Sequence, residues 1–345
     1  MNKVKVNELL TALEAVMPGL AKKEIIEHAN CFIFDEGKIY TFNDEISVSY
    51  PVKGIDINGA VSGKEFYDFM KNVEDEEVSI GLGDKSKVVV QGSSFEVKFN
   101  LRAAKMPTYV PTPDNWKKLP SNFKEGFEYL LLSVAKDMSN PVLTCIHWVR
   151  DVLESCDNIK YTRWQLDGGE IDEDWDILLS DNVGAQLLHY DPVEYSYSKD
   201  GCWLHLKMDN GCIFSCRTFL GKYPDTSVIL KACQVDDGYE IELPEKLNNA
   251  LDRASAVAIE DELGDKLVRL HFTSKGLYVR ARSDLGVFKE LINGSYDYSC
   301  SVSVYIKVLK AALKYFNKAI LSSNKKMIMF KADYLTHVVS VAEEV

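Results

Sequence analysis

The chain has 345 residues, 46% of them apolar and 11% aromatic, which is ample for packed cores in two or three domains. A formal net charge of −12 excludes a surface that is nucleic-acid footprint throughout, and leaves open only a local basic face. No window reaches the ~18 unbroken apolar residues that a membrane span needs. No leader pattern precedes Val4 and the eight cysteines form no CxxC pair, so the chain reads as soluble, with reduced cytosolic thiols and no membrane partner.

Val4–Val16 places Val6, Leu9, Leu10 and Leu13 at spacings of three and four, which predicts a helix with one apolar face. Cys31–Tyr50 reads as a strand pair with Asp44 in its second strand region. Ser62-Gly63-Lys64-Glu65 then has the pattern of a capping box at the start of a second helix. In such a box the hydroxyl accepts a free backbone N–H and the carboxylate returns to the cap's own amide. Val78–Leu101 follows as a strand pair turned at Gly83-Asp84-Lys85 and Gly92. Four of the ten prolines lie in Met106–Pro120, an extended connector.

The same order then recurs. A helix over Phe123–Asp137, a strand pair over Val142–Leu166 with Asp157, a helix over Ser180–Tyr190 and strands over Val193–Leu220 fill the middle of the chain. The alternation Phe214, Cys216, Thr218, Leu220 stops at Gly221–Asp225. Pro224 has no N–H for a ladder and holds Tyr223 extended, so Tyr223–Asp237 reads as a linker at a domain seam. Beyond it come a helix over Leu243–Ala256, a strand pair over Leu267–Phe288 with Asp284, a helix behind Ser303 and strands over Ala319–Val341 around Ser322–Lys326. The aspartates are 113 and 127 residues apart and the serines 118 and 123, close to the 345/3 = 115 of a threefold repeat. The reading is an α+β chain of three similar domains, 1–120, 121–235 and 236–345, set against a single α+β domain or two unrelated ones.

Several segments in this order carry a resemblance. They are TFNDEISVSYPV at Thr41–Val52, NLRAAKMP at Asn100–Pro107, NPVLTCIHW at Asn140–Trp148 and CDNIKY at Cys156–Tyr161. FLGKYPDTSVIL at Phe219–Leu230, LNNALDRASAV at Leu247–Val257 and VRLHFTSKGLYVRA at Val268–Ala281 complete the set. Together they resemble the bacterial-type DNA sliding clamp, the β subunit of the replicative DNA polymerase, over essentially the whole chain and as a divergent member. The resemblance implies three repeated clamp domains closing into a ring as a homodimer, with helices lining a hole around double-stranded DNA. It implies a replicative polymerase and a clamp loader as partners, sequence-independent DNA binding, a cytoplasmic location, no cofactor and no catalysis.

A lumen that slides needs diffuse positive charge toward phosphates and no base readout. Lys307, Lys310, Lys314 and Lys318 fall at i, i+3, i+7 and i+11, one stripe set against Leu309, Ala312, Leu313 and Phe316. Outside a lumen such a stripe reads as a solvated face. Lys22, Lys23, Lys64, Lys71, Lys136 and Arg253 are further DNA-facing candidates, whereas Ser180–Tyr190 holds no Lys or Arg. From the resemblance, a partner-peptide pocket falls on Leu143, Cys156, Asn158, Ile159, Lys160, Tyr161, Pro224, Val228, Ile229, Val338, Val339, Ser340 and Val341. The terminus His337–Val345 lacks the methionine, proline and basic residue with which that family ends. The ring joint is expected at Phe95 and Val97 of the first domain and Ala256 and Val257 of the third.

Two other readings stand beside this one. A monomeric clamp-like scaffold or decoy would bind replication proteins without encircling DNA. A metal-dependent enzyme would use the acidic run Glu170–Asp176, yet Asp172, Glu173, Asp174 and Asp176 lack the spaced ligands of an EF-hand. The six histidines include no HxxxH or HExxH, Cys212 and Cys216 with His205 lack a second close pair, and there is no P-loop, GxGxxG or GxSxG.

Overall fold

The computed structural model describes every residue except 85, 106, 108, 233–237, 261–264 and 343–345. Lys85 of the first predicted turn, two connector positions, the end of the Tyr223–Asp237 stretch and the last three residues therefore lie outside the described residues. Among those described, each third of the chain runs strand, helix, three strands, strand, helix, three strands. The leading strands Asn2–Lys5, Lys117–Lys118 and Tyr239–Glu242 carry no strong sequence signal. Each predicted strand pair holds three strands; Cys31–Tyr50, for example, divides into Cys31–Asp35, Lys38–Phe42 and Ile46–Pro51. The first reversal is a two-residue turn with φ of 47° at Glu36 and 74° at Gly37, tight enough to pass for continuous strand in the sequence.

The chain divides into two compact units, and the middle third is shared between them. The first comprises Met1–Lys124, Asp167–Glu173 and Asn182–Leu220. Its eight-stranded antiparallel sheet has the order Gly59–Ser62, Cys31–Asp35, Lys38–Phe42, Ile46–Pro51, Ile213–Arg217, Trp203–Met208, Pro192–Tyr197, Lys117–Lys118. Strands from the first and middle thirds join where Val48 pairs with Phe214. A four-stranded sheet of Asn2–Lys5, Glu77–Gly83, Lys87–Gln91 and Glu96–Asn100 completes the unit's β-structure. Helices Val6–Val16 and Gly63–Lys71 bury Leu9, Leu13, Phe66 and Met70. Phe66 meets Phe32, Phe34 and Phe99 edge-on at centroid distances of 6.3, 6.0 and 5.1 Å, so emptying that site by Phe66→Ala costs about 3–5 kcal/mol.

The second unit comprises Glu125–Leu166, Asp174–Asp181 and Gly221–Val345. Its eight-stranded sheet runs Asp176–Ser180, Cys145–Val149, Val152–Cys156, Lys160–Gln165, Leu335–Ser340, Met327–Ala332, Lys318–Leu321, Tyr239–Glu242. The join between thirds, Tyr161 opposite Val338, repeats the arrangement of Val48 and Phe214. A four-stranded sheet again accompanies it, in the order Gly286–Asn293, Gly276–Ser283, Leu267–Thr273, Cys300–Tyr305.

Several expected element ends move, each for a physical reason. The helix expected over Phe123–Asp137 stops at Leu130. Ser155 Oγ donates to the Leu130 carbonyl at 2.6 Å and Lys160 Nζ to that of Leu132 at 2.6 Å, so strand side chains take the oxygens a longer helix would use. Gly126 sits inside this short helix because a Cβ there would lie 2.7 Å from the Trp164 indole. The capping box at Ser62 is not made: its hydroxyl donates to the Glu65 carboxylate instead of accepting a backbone N–H. Ser303 is within the strand Cys300–Tyr305, and the helix begins only at Ile306. That helix closes at Ala312, because Phe316 is drawn into the core against Phe330 at 5.2 Å. Lys314 therefore falls in a turn and Lys318 on the strand Lys318–Leu321, so the four-lysine helical stripe is reduced to Lys307 and Lys310. The Ser180–Tyr190 helix is Asp181–Leu187. The Tyr223–Asp237 stretch is no plain linker: it contains the helix Ser227–Ala232, opened by the Asp225 carboxylate accepting the Ser227 N–H at 3.0 Å.

Candidate peptide-docking cluster and basic helix faces

In the second unit, three separated segments converge on one apolar cluster. The hairpin strands Val152–Cys156 and Lys160–Gln165, the strand Leu335–Ser340 and the Tyr223–Ala232 segment bring Cys156, Tyr161, Val338 and Tyr223 together with Cys145, Leu178 and Met329 of the neighbouring strands Cys145–Val149, Asp176–Ser180 and Met327–Ala332. Val142, Leu143, Ile229, Leu230, Ile320 and Met327 pack around it and remain partly open to solvent. The hairpin tip is fixed by Asp157, whose carboxylate accepts the backbone N–H groups of Ile159 at 2.8 Å and Lys160 at 2.7 Å.

A buried polar network stands beneath this surface. Glu154 accepts hydrogen bonds from the hydroxyls of Tyr161 and Thr226, both at 2.7 Å, and holds His147 Nδ1 at 2.8 Å. His147 Nε2 reaches Asp176 at 3.0 Å and its ring stacks on Tyr223 at 4.6 Å. Tyr223 Oη accepts the Cys156 N–H at 2.8 Å. Burial alone would raise the Glu154 carboxyl, but its bonds from His147, Tyr161 and Thr226 hold it below the ordinary range. Burial would lower His147, and the carboxylates of Glu154 and Asp176 raise it instead. Burial pushes the Tyr161 and Tyr223 phenols well up and also raises the Cys156 thiol, so none of them ionises near neutrality. The network is a clamp on geometry: Thr226 ties the start of the Ser227–Ala232 helix to the hairpin through Glu154.

The pocket residues expected from the sequence thus divide by exposure. Cys156, Tyr161 and Val338 form a floor, with Tyr161 at 1% relative exposure, while Val339, also buried, is on the opposite face of its strand. Leu143, Ile159, Lys160, Ile229, Ser340 and Val341 are partly open, while Asn158, Pro224 and Val228 are exposed, Val228 at 64%. Val142, Leu230, Ile320, Met327 and Tyr223 belong to the same cluster and were not among the expected residues. The alternation Met327-Ile328-Met329 and the Asp225-Thr226-Ser227 cap were the signals that point to them.

The candidate DNA-facing cations also divide. In the first unit Lys22, Lys23, Lys64 and Lys71 are exposed, and among the described residues none of them reaches a carboxylate; Lys71 lies 5.9 Å from the Tyr67 ring centroid. In the second unit Lys307 and Lys314 are likewise exposed without a carboxylate partner among the described residues. Lys136 pairs with Asp181 at 2.9 Å, Arg253 with Glu290 at 2.6 Å, Lys318 with Glu242 at 3.5 Å, and Lys310 with Asp252 on the neighbouring helix Leu247–Ser255. Phe95 packs edge-on against Phe69 at 5.5 Å, and Val97 is on the open edge strand Glu96–Asn100. Val257 lies beside Gly286, where the edge strand Gly286–Asn293 begins, and Ala256 is exposed at the end of its helix. A hollow of about 800 Å³ in the first unit, beside Glu14, His189 and Asp191, includes none of the expected site residues.

Of the acidic run, Glu170, Asp172, Glu173 and Asp174 are exposed outside helices and strands, with Asp172 paired to Lys117, whereas Asp176 opens the strand Asp176–Ser180 and reaches His147. Among the described residues no group of three or more His, Cys, Asp or Glu side chains is placed to hold a metal, and no helix is long and apolar enough to cross a membrane.

No family model matches the sequence, and no curated protein matches it. Solved structures do. The chain is similar to the beta subunit from DNA polymerase of Streptococcus pyogenes, with a TM-score of 0.85 at 14% identity over 99% of both chains. It is similar to the DNA polymerase sliding clamp from Bacillus subtilis at 0.82 and 16% over 99% of both. Against the DNA polymerase III beta subunit of Thermotoga maritima the values are 0.80 and 16%, over 100% of this chain and 99% of that one. This is the sliding-clamp fold. Identities this low leave backbone and topology in common while most side chains differ. The clamp fold accounts for the thrice-repeated order of elements and for the two equivalent joins between eight-stranded sheet halves.

Proposed function

We propose that this protein is a sliding clamp: two copies close head to tail around duplex DNA and tether a replicative polymerase, and the loader that opens the ring, through the apolar cluster of the second unit. The observation that carries the reading is likeness of fold along the whole chain, at TM-scores of 0.80 to 0.85 over 99% or more of its length, to proteins described as sliding clamps. The three successive domains 1–120, 121–235 and 236–345 would be the repeated modules. Lys22, Lys23, Lys64, Lys71, Lys307 and Lys314 supply unpaired positive charge for phosphates without any arrangement that reads bases. The four paired cations, Lys136, Arg253, Lys310 and Lys318, contribute less, since a phosphate must compete with a carboxylate already in place.

The docking surface suits a short apolar peptide. Its partly open side chains Leu143, Ile229, Leu230 and Met327 surround a floor that is already packed, so a partner gains contact area with little ordering cost. The work is mechanical and needs no catalytic residue. The test is primer extension on a circular single-stranded template with the cognate polymerase and loader, at about 0.15 M salt where exposed charge attraction is screened within ~8 Å. Products should lengthen several-fold with the protein present. Unchanged product length with a loaded template would refute the reading.

A further inference from the structure

Four exposed lysines border the apolar cluster of the second unit, each on a segment that supplies one of its side chains. Lys222 precedes Tyr223, Lys231 follows Leu230, and Lys325 and Lys326 precede Met327. Among the described residues none of the four forms an ion pair. The acids nearby are already engaged. Asp157 caps the hairpin tip and pairs with Lys160 at 3.1 Å, Asp225 accepts the Ser227 N–H at 3.0 Å, Asp137 accepts the Ser139 N–H at 2.9 Å, and Asp176 and Glu154 hold His147. Its bonds to Ser227, with Lys231 farther off, keep the Asp225 carboxyl below the ordinary range.

Folding does not explain these lysines. Lys325 has a φ of 57°, a left-handed conformation that Gly or Asn adopts with less strain, and it stands beside a second lysine with no opposite charge among the described residues to offset the repulsion. The Ser322–Lys326 turn is built without either ammonium: Ser322 Oγ accepts the N–H groups of Lys326 at 3.2 Å and Met327 at 3.0 Å, and Asn324 Oδ1 accepts that of Lys326 at 3.0 Å. Nucleic acid is a poor fit, because bases need open ring faces on which to stack, and the cluster's rings Tyr161 and Tyr223 are buried, at 1% and 7% exposure. Unpaired positive charge around the half-open Ile229, Leu230 and Met327, on a chain of net charge −12, fits a peptide with apolar residues at its centre and carboxylates at its ends.

We propose that the apolar cluster selects peptides with acidic flanks, Lys222, Lys231, Lys325 and Lys326 taking the carboxylates on either side of the apolar anchors. This rests on the docking reading and adds to it the charge of the partner segment. Burial of the anchors supplies most of the affinity, and the exposed lysines, whose attraction is screened by salt, choose among apolar peptides.

The experiment uses the immobilised full-length chain and three libraries of synthetic peptides. All share a randomised three-residue core drawn from Leu, Ile, Met and Phe, flanked on both sides by paired Asp, paired Ser or paired Lys. At about 50 mM salt the Asp library should be held about tenfold more tightly than the Ser library, and the Lys library more weakly than either; at about 500 mM the three should converge to within about twofold. Lys222→Glu/Lys326→Glu, at two exposed positions, should reverse the order, and its retention of the Lys library shows that the variant is folded. Equal retention of the three libraries by the wild type at low salt, or an unreversed order in the variant, would overturn the acidic preference and leave the docking reading standing. Retention of none, or retention untouched by Val228→Asp/Leu230→Asp, would overturn both. A single-stranded oligothymidylate of about twelve nucleotides held more tightly than the Asp library would assign the lysines to nucleic acid and overturn the peptide partner.

Discussion

Replacing Glu154 tests the physical link between the buried network and the apolar cluster proposed for docking. The carboxylate is 4% exposed and holds His147, Tyr161 and Thr226 at once. Glu154→Ala leaves all three without that partner in a dry place, the situation of a broken buried pair, and should cost about 3–5 kcal/mol. Glu154→Gln keeps one oxygen for Tyr161 and Thr226 and turns an amide toward His147, so its cost should be nearer 1.5–3 kcal/mol, the value of a charge-assisted bond. The pH dependence has a definite sign. Glu154 titrates below its ordinary 4.5 when folded, so its contribution is present above 4.5 and lost as pH falls through the folded value. His147 titrates above its ordinary 6.5, so its contribution is present below 6.5 and lost as pH rises through the folded value. The Gln variant's deficit should therefore be largest between pH 4.5 and 6.5 and shrink well above 6.5. Urea unfolding of both proteins at about pH 5.5 and 9, with the His147 ring followed by NMR, measures this. A deficit below about 0.5 kcal/mol, or one equal at both pH values, would refute the reasoning.

Other expectations follow from the same geometry. Val228→Asp with Leu230→Asp should abolish polymerase stimulation while moving stability by no more than about 0.5 kcal/mol, because Val228 is exposed and Leu230 half-open; full stimulation would place docking elsewhere. Tyr161 and Val339 are unsuitable for that test, since charges there would disrupt the core. Lys64→Glu with Lys307→Glu and Lys314→Glu should shorten retention on DNA circles and flatten its salt dependence by about 0.9 in log–log slope per lost phosphate contact; an unchanged slope would remove these lysines from the DNA surface. His205 and His337 are buried and held at about 4, so they stabilise the fold above their ordinary 6.5, and that contribution is lost as pH falls toward 4. Each is worth about 3 kcal/mol at most, from a shift of 6.5 − 4 = 2.5 units. His205→Gln should flatten the fall in stability over that window, and an unaltered fall would show that His205 stays neutral when unfolded or charged when folded.

The repeated order of elements was legible because apolar spacing and turn residues act locally: Val6, Leu9 and Leu13 form the helix face that their spacing predicts, and Ser322–Lys326 turns the chain between Lys318–Leu321 and Met327–Ala332. Element ends were not, because they depend on distant groups. Nothing near Leu130 announces that Ser155 and Lys160 will take its helix's carbonyls, or near Phe316 that Phe330 will draw it inward. The apolar cluster proposed for docking was legible in part, through residues placed by the resemblance at Cys156–Tyr161 and Tyr223–Asp225. Which of them would form floor and which rim depends on packing between strands far apart in sequence, as Tyr161 opposite Val338 illustrates. The carboxylates facing Lys136, Arg253, Lys310 and Lys318 were hidden for the same reason.

Topological capture is the central claim, and it is tested most directly by cutting the DNA. The protein is loaded on a nicked circle, separated from free protein at about 0.5 M salt to screen simple charge attraction, and the circle is then opened with a restriction enzyme. The account predicts that the protein stays on the closed circle and is released within the dead time once the circle is linear. Equal retention on the two forms, or failure to remain on either, would contradict it.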